Sequence, residues 1–200
     1  MLKEFWDNRY NEDQFAYGKQ PNRFLKDQLE KITDTGKILL PLEGEGRNAV
    51  YAALMGWDVI AFDQSVSGKE KAKKLADEYG VRIDYQVMDA EQFACEEGEF
   101  DLIALIYAHM PRSLRRNFHR KVSGCLKKGG KLILEAFSKE QLGRDSGGPR
   151  SVKALYSAKD LNEDLSGLNI LFSEEQEVVL DEGLYHQGSA CVVRLIAEKV

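Results

Sequence analysis

KILLPLEGEGRNAVYAALMGWDVIAFD, residues 37–63, decides the fold. KILLPL (37–42) is a short apolar run of strand length. A turn holding Gly44 and Gly46 follows it. From Arg47 to Gly56, Ala49, Val50, Ala53 and Leu54 share one face of a helix, and Gly56 stops it. WDVIAFD (57–63) is a second strand that ends on Asp63. Strand, tight turn, helix and strand make a crossover unit, which is how parallel strands are joined.

The same alternation extends toward the C-terminus. Ser65 to Tyr79 reads as a helix with Ser65 or Ser67 as N-cap and Gly80 as stop. VRIDYQV (81–87) alternates as a strand does, and FDLIALIY (100–107) is a continuous apolar run, as in a strand buried on both faces. Pro111 to Leu126 is a helix with proline at its start, and GKLILEAF (130–137) is a fifth strand. The tail differs. LNILFSEEQEVVLDEG (168–183) and SACVVRLIAEK (189–199) are strand-rich and joined by the linker LYHQG. They predict an antiparallel hairpin on one sheet edge, with His186 in the connecting loop. GRDSGGPR (143–150) predicts a flexible loop, and residues 1–36 predict helices packed near the sheet.

Composition agrees with one soluble globular domain. The 200 residues carry 28 Lys+Arg against 33 Asp+Glu, a net charge of −5, with 43% hydrophobic and 30% charged residues. That excludes a disordered or collagen-like chain and argues against a dedicated nucleic-acid binder. A domain of this length buries roughly 70% of its unfolded surface and needs no staples. Cys95, Cys125 and Cys191 are odd in number and form no CxxC pair, so neither a zinc cluster nor a disulfide framework is expected. The N-terminus MLKEFWDNRYNEDQ is too polar for a signal peptide, and no apolar run approaches the ~20 residues of a membrane span. A cytoplasmic protein is expected, with no membrane, nucleic-acid or metal partner, as monomer or homodimer.

Gly44-Glu45-Gly46-Arg47-Asn48-Ala49 has the form GxGxx[GA] between a strand and a helix. Small residues there let a ligand approach the backbone, and the N–H groups of the helix start face it. The alternative is a tight turn with no ligand. Asp63, nineteen residues after Gly44 at the end of the next strand, is placed to accept both hydroxyls of a ribose. Dinucleotides and S-adenosylmethionine share that arrangement. Asp89, in VMDAEQF after the third strand, separates them if it accepts the adenine amino hydrogen; its alternative role is a helix N-cap.

The ordered set LEGEGRNA, Asp63, MDAEQF, FDLIALIYAHMP and LKKGGKLIL resembles the class I S-adenosylmethionine-dependent methyltransferases over residues 37–137. The resemblance implies an α/β fold: a Rossmann-like, doubly wound, seven-stranded, mostly parallel sheet with an antiparallel C-terminal strand and helices on both faces. It implies a single domain with an N-terminal helical lid (1–36), a cofactor-binding core (37–137) and a C-terminal substrate-side segment (138–200). The family's first motif carries an acid and then three alternating glycines. Here Leu40 stands at the acid position and Leu42 at the first glycine, so Glu43 is the candidate for the methionine ammonium. The cofactor set is completed by Gly44, Glu45, Gly46, Asn48, Asp63, Gln64, Ser65, Asp89, Ala90 and Tyr107.

The pattern WDxRY…YGxxPNxFL (6–25), LEGEGRNA, GGP and the closing EGxxHxG is similar to a tellurite-resistance and thiopurine-methyltransferase-like branch. Such enzymes methylate small soft nucleophiles, including thiols and chalcogen oxyanions such as tellurite and selenite. Trp6, Arg9, Tyr10, Tyr17 and Arg23 are lid or substrate candidates, with core packing as the alternative for the aromatics. By the same resemblance His186 is the catalytic candidate and Arg194 its oxyanion partner, while His109 at the end of the fourth strand is a third acceptor-side candidate. Arg112, Arg115, Arg116, Arg120 and Lys121 read as a solvated helix face, and His119 among them as surface. The expected activity is methyl transfer from S-adenosylmethionine to a small soft nucleophile. The alternatives are a non-catalytic protein that binds S-adenosylmethionine or S-adenosylhomocysteine, and a nicotinamide-dependent oxidoreductase.

Overall fold

The computed structural model describes the backbone of residues 2–200 and side chains from Lys3 onward. In chain order the elements are α1 (Leu2–Tyr10), α2 (Arg23–Leu29), β1 (Lys37–Pro41), α3 (Arg47–Leu54), β2 (Asp58–Asp63), α4 (Val66–Glu78) and β3 (Asp84–Val87). Then come β4 (Phe100–Ile106), α5 (Arg112–Cys125), β5 (Leu126–Phe137), α6 (Ala158–Asp164), β6 (Asn169–Glu182) and β7 (His186–Glu198). The strands form one sheet in the order β3-β2-β1-β4-β5-β7-β6. β1 to β5 pair in parallel, and β7 runs antiparallel to both neighbours. This is the Rossmann-like mixed sheet that the motif order implied.

Alternation along β1 explains the two layers. Ile38 and Leu40 pack with Leu102 and Ala104 of β4, with Phe24, Leu25 and Leu29 of α2, and with Ala49 and Ala52 of α3. Leu39 points the other way, into Ile103, Leu105, Leu132 and Leu134, with Phe118 and Val122 of α5 and Leu161 and Leu165 of α6. Each such side chain contributes about 1.5–3 kcal/mol by leaving water. The chain winds outward from β1 to β3 and then returns to β4, so the switch point lies between β1 and β4. Open α/β sheets bind ligands at the carboxyl ends of the strands there. Leu42 and Tyr107, just past β1 and β4, both have positive φ (55° and 52°). Non-glycine residues in that region carry strain of order 1–3 kcal/mol. Leu42 stands where the related motif has glycine, and its backbone adopts the conformation a glycine takes freely.

Four expectations are corrected. His186 is the first residue of β7, buried, because the turn is shorter than the linker LYHQG. The basic helix is not simply a solvated face: Arg115 is 2% exposed and His119 0%. Both turn inward onto Asp164. Cys95 and Cys125 form a disulfide with Cα atoms 5.9 Å apart, leaving Cys191 as a buried free thiol. The segment 143–150 is tied to the hairpin, with Ser146 buried and donating to the Ser189 carbonyl at 2.6 Å. Among the described residues no helix is long and apolar enough to cross a membrane.

Candidate active site

The turn after β1 is built around Asp63. Its buried carboxylate accepts the N–H of Gly44 at 3.2 Å and of Ser65 at 2.9 Å. Burial raises its pKa to about 6 despite these bonds. Two accepted bonds leave a carboxylate further lone pairs. Gly44 (φ 60°) and Gly46 (φ 83°) have left-handed backbones, and a Cβ on Gly46 would lie 2.5 Å from the Ala72 Cβ of α4. Glycine is therefore required at Gly46 for turn and packing alike. Beside the turn, Tyr85 donates its hydroxyl to the Gly44 carbonyl at 2.6 Å.

The acids flanking the turn are already engaged. Glu43 accepts the N–H groups of Asn48 (2.8 Å) and Ala49 (2.7 Å), so it caps α3, and burial lifts its carboxyl to about 7. Glu45 accepts Ala16 N–H at 2.8 Å and the Lys71 ammonium at 2.9 Å. Asn48 accepts the N–H of Asn22 at 2.8 Å. Ser65 caps α4 by accepting Gly68 N–H at 3.0 Å, and Gln64 beside it is half-buried. Asp89 is exposed; its carboxylate accepts Glu91 N–H at 3.1 Å, and Ala90 after it is buried. The local role of Asp89 is thus a turn, with a carboxylate still open to solvent.

The N-terminal segment lies on this surface. Asp7 accepts from the Ser65 hydroxyl (2.6 Å) and from Val66 N–H (2.9 Å), which latches α1 to the start of α4. The Ser65 bond is the main reason its pKa is lowered. The Tyr10 hydroxyl lies 2.6 Å from where a Cβ on Gly44 would stand, so the ring covers the turn. Trp6 stacks on Tyr10 with ring centres 5.4 Å apart. Arg9 donates to the Tyr17 hydroxyl at 3.2 Å and lies 4.0 Å over the Tyr185 ring. Arg23 is exposed at the start of α2.

His186 sits in an aromatic box. The rings of Tyr17, Tyr107 and Phe137 lie 4.4, 4.6 and 5.1 Å from it. Its Nδ1 meets Glu182 Oε2 at 3.2 Å. Among the described residues Nε2 has no hydrogen-bond partner. Burial lowers the pKa of His186, more strongly than Glu182 raises it, so the ring is neutral near pH 7. Nδ1–H donating to Glu182 then fixes the tautomer with the lone pair on Nε2. Burial pushes the Glu182 carboxyl upward, but bonds from His186 and Arg47 outweigh it and hold it at about 2. Arg47 reaches Glu182 at 2.8 Å, and Asn22 bridges Glu182 (3.1 Å) to buried Glu135 (2.6 Å).

Two acceptor-side candidates are committed elsewhere. His109 uses both nitrogens: Nδ1 donates to the Ala154 carbonyl (2.8 Å) and Nε2 accepts Phe137 N–H (3.1 Å). Burial lowers its pKa to about 4. It is a neutral pin between loop and strand with no nitrogen left for a reaction. Arg194 donates to Glu135 and lies 4.7 Å over the Phe24 ring, so it is paired with a buried acid rather than open to an oxyanion. The cation in contact with Glu182 is Arg47. Sequence reasoning missed Glu182, Arg47, Asn22 and Glu135. The available signal for one of them was the acid four positions before His186 across a glycine turn.

Residues 43–130 match a family model described as a methyltransferase domain. No curated protein matches the chain. Solved structures that share the fold include the following three. One, reported for the conversion of a disulfide bond into a thioacetal group during echinomycin biosynthesis, has a TM-score of 0.78 at 17% identity, over 100% of this chain and 92% of that one. TehB from Haemophilus influenzae has a TM-score of 0.71 at 16% identity, over 99% and 67%. A SAM-dependent methyltransferase from Methanosarcina mazei has 0.70 at 16%, over 90% and 99%. The match over residues 43–130 falls on the part of the sheet that holds the Gly44 turn, Asp63 and Asp89, and S-adenosylmethionine is the cofactor that a methyltransferase domain implies.

Proposed function

We propose that this protein methylates a small soft nucleophile, a thiol or a chalcogen oxyanion, with His186 as the group that takes up the acceptor's proton. The observation that carries the reading is the His186–Glu182 pair, with Nε2 left open inside the aromatic box. TehB as a structural neighbour agrees with the branch that the sequence ends resemble.

The residues present fit the cofactor's nucleoside end. The Asp63 carboxylate would meet the ribose hydroxyls, the bare backbone of Gly44 and Gly46 would let the ligand approach, and Asp89 would meet the adenine amino group. Glu43 keeps the α3 cap, so the methionine end depends on backbone and on lid residues. When bound, S-adenosylmethionine supplies an electrophilic methyl, whose bond to sulfonium sulfur breaks as the acceptor's lone pair takes the carbon. His186 removes the acceptor's proton at Nε2, and Glu182 stabilises the imidazolium at Nδ1. Tyr17, Tyr107 and Phe137 offer polarisable faces to a soft atom and exclude water. Asp7, Trp6 and Tyr10 hold α1 over the turn as the lid.

The test is calorimetric titration with S-adenosylmethionine, S-adenosylhomocysteine and NADH, followed by turnover on thiols, selenite and tellurite. Adenosyl binding with methyl transfer to this panel is expected. Binding without turnover on any acceptor would leave a cofactor sensor instead, and NADH binding alone would overturn the class of reaction. Asp63→Ala should weaken adenosyl binding by more than about tenfold, or roughly 1.4 kcal/mol, with the circular dichroism spectrum unchanged.

A further inference from the structure

A second polar site lies on the other face of the sheet, between α5 and α6. A cavity of about 360 Å³ is lined by Arg116, Arg120, Ser123, Glu163, Asp164, Ser166 and Gly167. Arg116, Arg120 and Ser123 recur at helical spacing, so one stripe of α5 forms a wall. Across from it the chain leaves α6 through Ser166 and Gly167, and a Cβ on Gly167 would meet nothing within 4 Å.

The two carboxylates of the cavity do not cancel its positive charge. Asp164 has a side chain only 2% exposed; it accepts a hydrogen bond from Arg115 Nε (2.6 Å), with His119 Nδ1 (3.3 Å) and Arg116 Nε (3.5 Å) within ion-pair distance. Glu163 is paired with Arg112 at 3.8 Å. Arg120 has no carboxylate partner among the described residues. Counting Arg112 and Arg115, which pair with the two acids without lining the cavity, four guanidinium groups meet two carboxylates in a chain whose net charge is −5. Beside Asp164, Arg115 Nη2 and both ring nitrogens of His119 are buried without hydrogen-bond partners. A local surplus of forked donors in a concave site is the arrangement that recognises phosphate.

We propose that this cavity binds a phosphate group, carried on a small organic body that fills the rest of the volume, at a site separate from the methyl-transfer cleft. Arg120 and the free edge of Arg116 would hold the phosphoryl oxygens, with the Ser123 and Ser166 hydroxyls beside them. The site also touches the reaction cleft through packing. Arg115 lies 4.7 Å over the Tyr156 ring, and the Tyr156 hydroxyl accepts Met110 N–H and donates to the Ala108 carbonyl, both at 2.7 Å. Those residues flank His109 in the loop that follows Tyr107.

The test is titration of the full chain with inorganic phosphate and with ribose 5-phosphate at low ionic strength, repeated on Arg116→Gln/Arg120→Gln. Saturable binding with one site per chain is expected, weakened at least about tenfold in the double variant while S-adenosylhomocysteine affinity stays the same. Tighter binding of ribose 5-phosphate supports the organic body as part of the ligand. Equal binding supports the phosphoryl group and removes the body. No saturable binding of either probe up to roughly 10 mM, or equal binding by wild type and variant, would overturn the site. Loss of phosphate binding in Asp63→Ala with retention in the double variant would place the anion in the cofactor cleft and overturn it as well.

Discussion

His186 owes its open Nε2 to Glu182, and Glu182 owes its charge to Arg47 and to the imidazole itself. Replacing His186 by Asn keeps a polar group of similar size in the aromatic box but removes the base. Turnover should fall by roughly 10²-fold or more, the usual contribution of a positioned acid–base group. Adenosyl binding should be unchanged by calorimetry, since the ring meets Tyr17, Tyr107 and Phe137 rather than the Gly44 turn. Equal turnover in the variant would remove His186 from the chemistry. His109 makes the contrasting case at the same scale. Its pKa of about 4 in the folded state lies below the ordinary 6.5 of an unfolded histidine. As pH falls from 6.5 toward 4, the unfolded chain takes up a proton that the folded chain refuses, so stability drops over that window. The loss amounts to roughly 3 kcal/mol at its full extent. His109→Gln cannot titrate, so the stability difference between wild type and variant should shift by about that amount in urea unfolding at pH 7 and pH 4. A difference that does not change with pH would show that His109 is protonated in the fold.

At the scale of elements, α1 packs over the Gly44 turn and is held by one carboxylate on the first turn of α4. Asp7 satisfies Val66 N–H and the Ser65 hydroxyl, two groups that α4 would otherwise leave to water. Asp7→Ala should cost about 1 kcal/mol, the typical worth of an N-terminal cap. Hydrogen exchange should rise at Val66 and Ser67 and across α1, and leave β4 as it was. Unchanged exchange at Val66 would show that Tyr10 and Trp6 hold α1 in place without the Asp7 bonds. Which elements were legible from the residues follows from the range of the forces involved. α3, α4 and β4 were readable because their signals are local: Gly56 and Gly80 as stops, Ser65 as a cap, and an apolar run for a strand covered on both faces. Asp63 was readable because a fixed strand–helix–strand length sets its distance from Gly44. The inward side of α5 was not. Charged residues signal a solvated face by themselves, and what buries Arg115 is Asp164, 49 positions later in α6. His186 was placed in a loop for a related reason. The tight turn that starts β7 brings Glu182 back to it, and that pairing exists only once the hairpin has formed.

At the scale of the molecule, the sheet divides two regions of different polarity. The switch point between β1 and β4 carries the Gly44 turn, α1 and His186, and the α5–α6 side carries the arginine cluster and the disulfide. The Cys95–Cys125 disulfide ties the loop that contains Asp89 to the end of α5. Other bonds join the same two segments: Lys121 donates to the Phe93 carbonyl at 2.7 Å, and Gly98 N–H to the Gly124 carbonyl at 3.2 Å. Phe93 also stacks on Phe62 of β2 at 4.9 Å. Because these contacts persist without the disulfide, its removal should leave the native fold in place and act on the unfolded chain. Closing a loop across a separation of 30 residues restricts that ensemble by about 3–4 kcal/mol in the chain-entropy view. Unfolding by urea with and without a thiol reductant should therefore show a lower midpoint for the reduced protein, with adenosyl affinity changed little below the transition. Cys95→Ala should reproduce the reduced midpoint and be insensitive to reductant, since the two remaining thiols, Cys125 just before β5 and Cys191 beside Ser138 at its far end, are too far apart to pair. If wild type and Cys95→Ala unfold at the same midpoint under oxidising conditions, the disulfide adds nothing to stability, and the loop carrying Asp89 is held by the contacts of Phe93, Lys121 and Gly98.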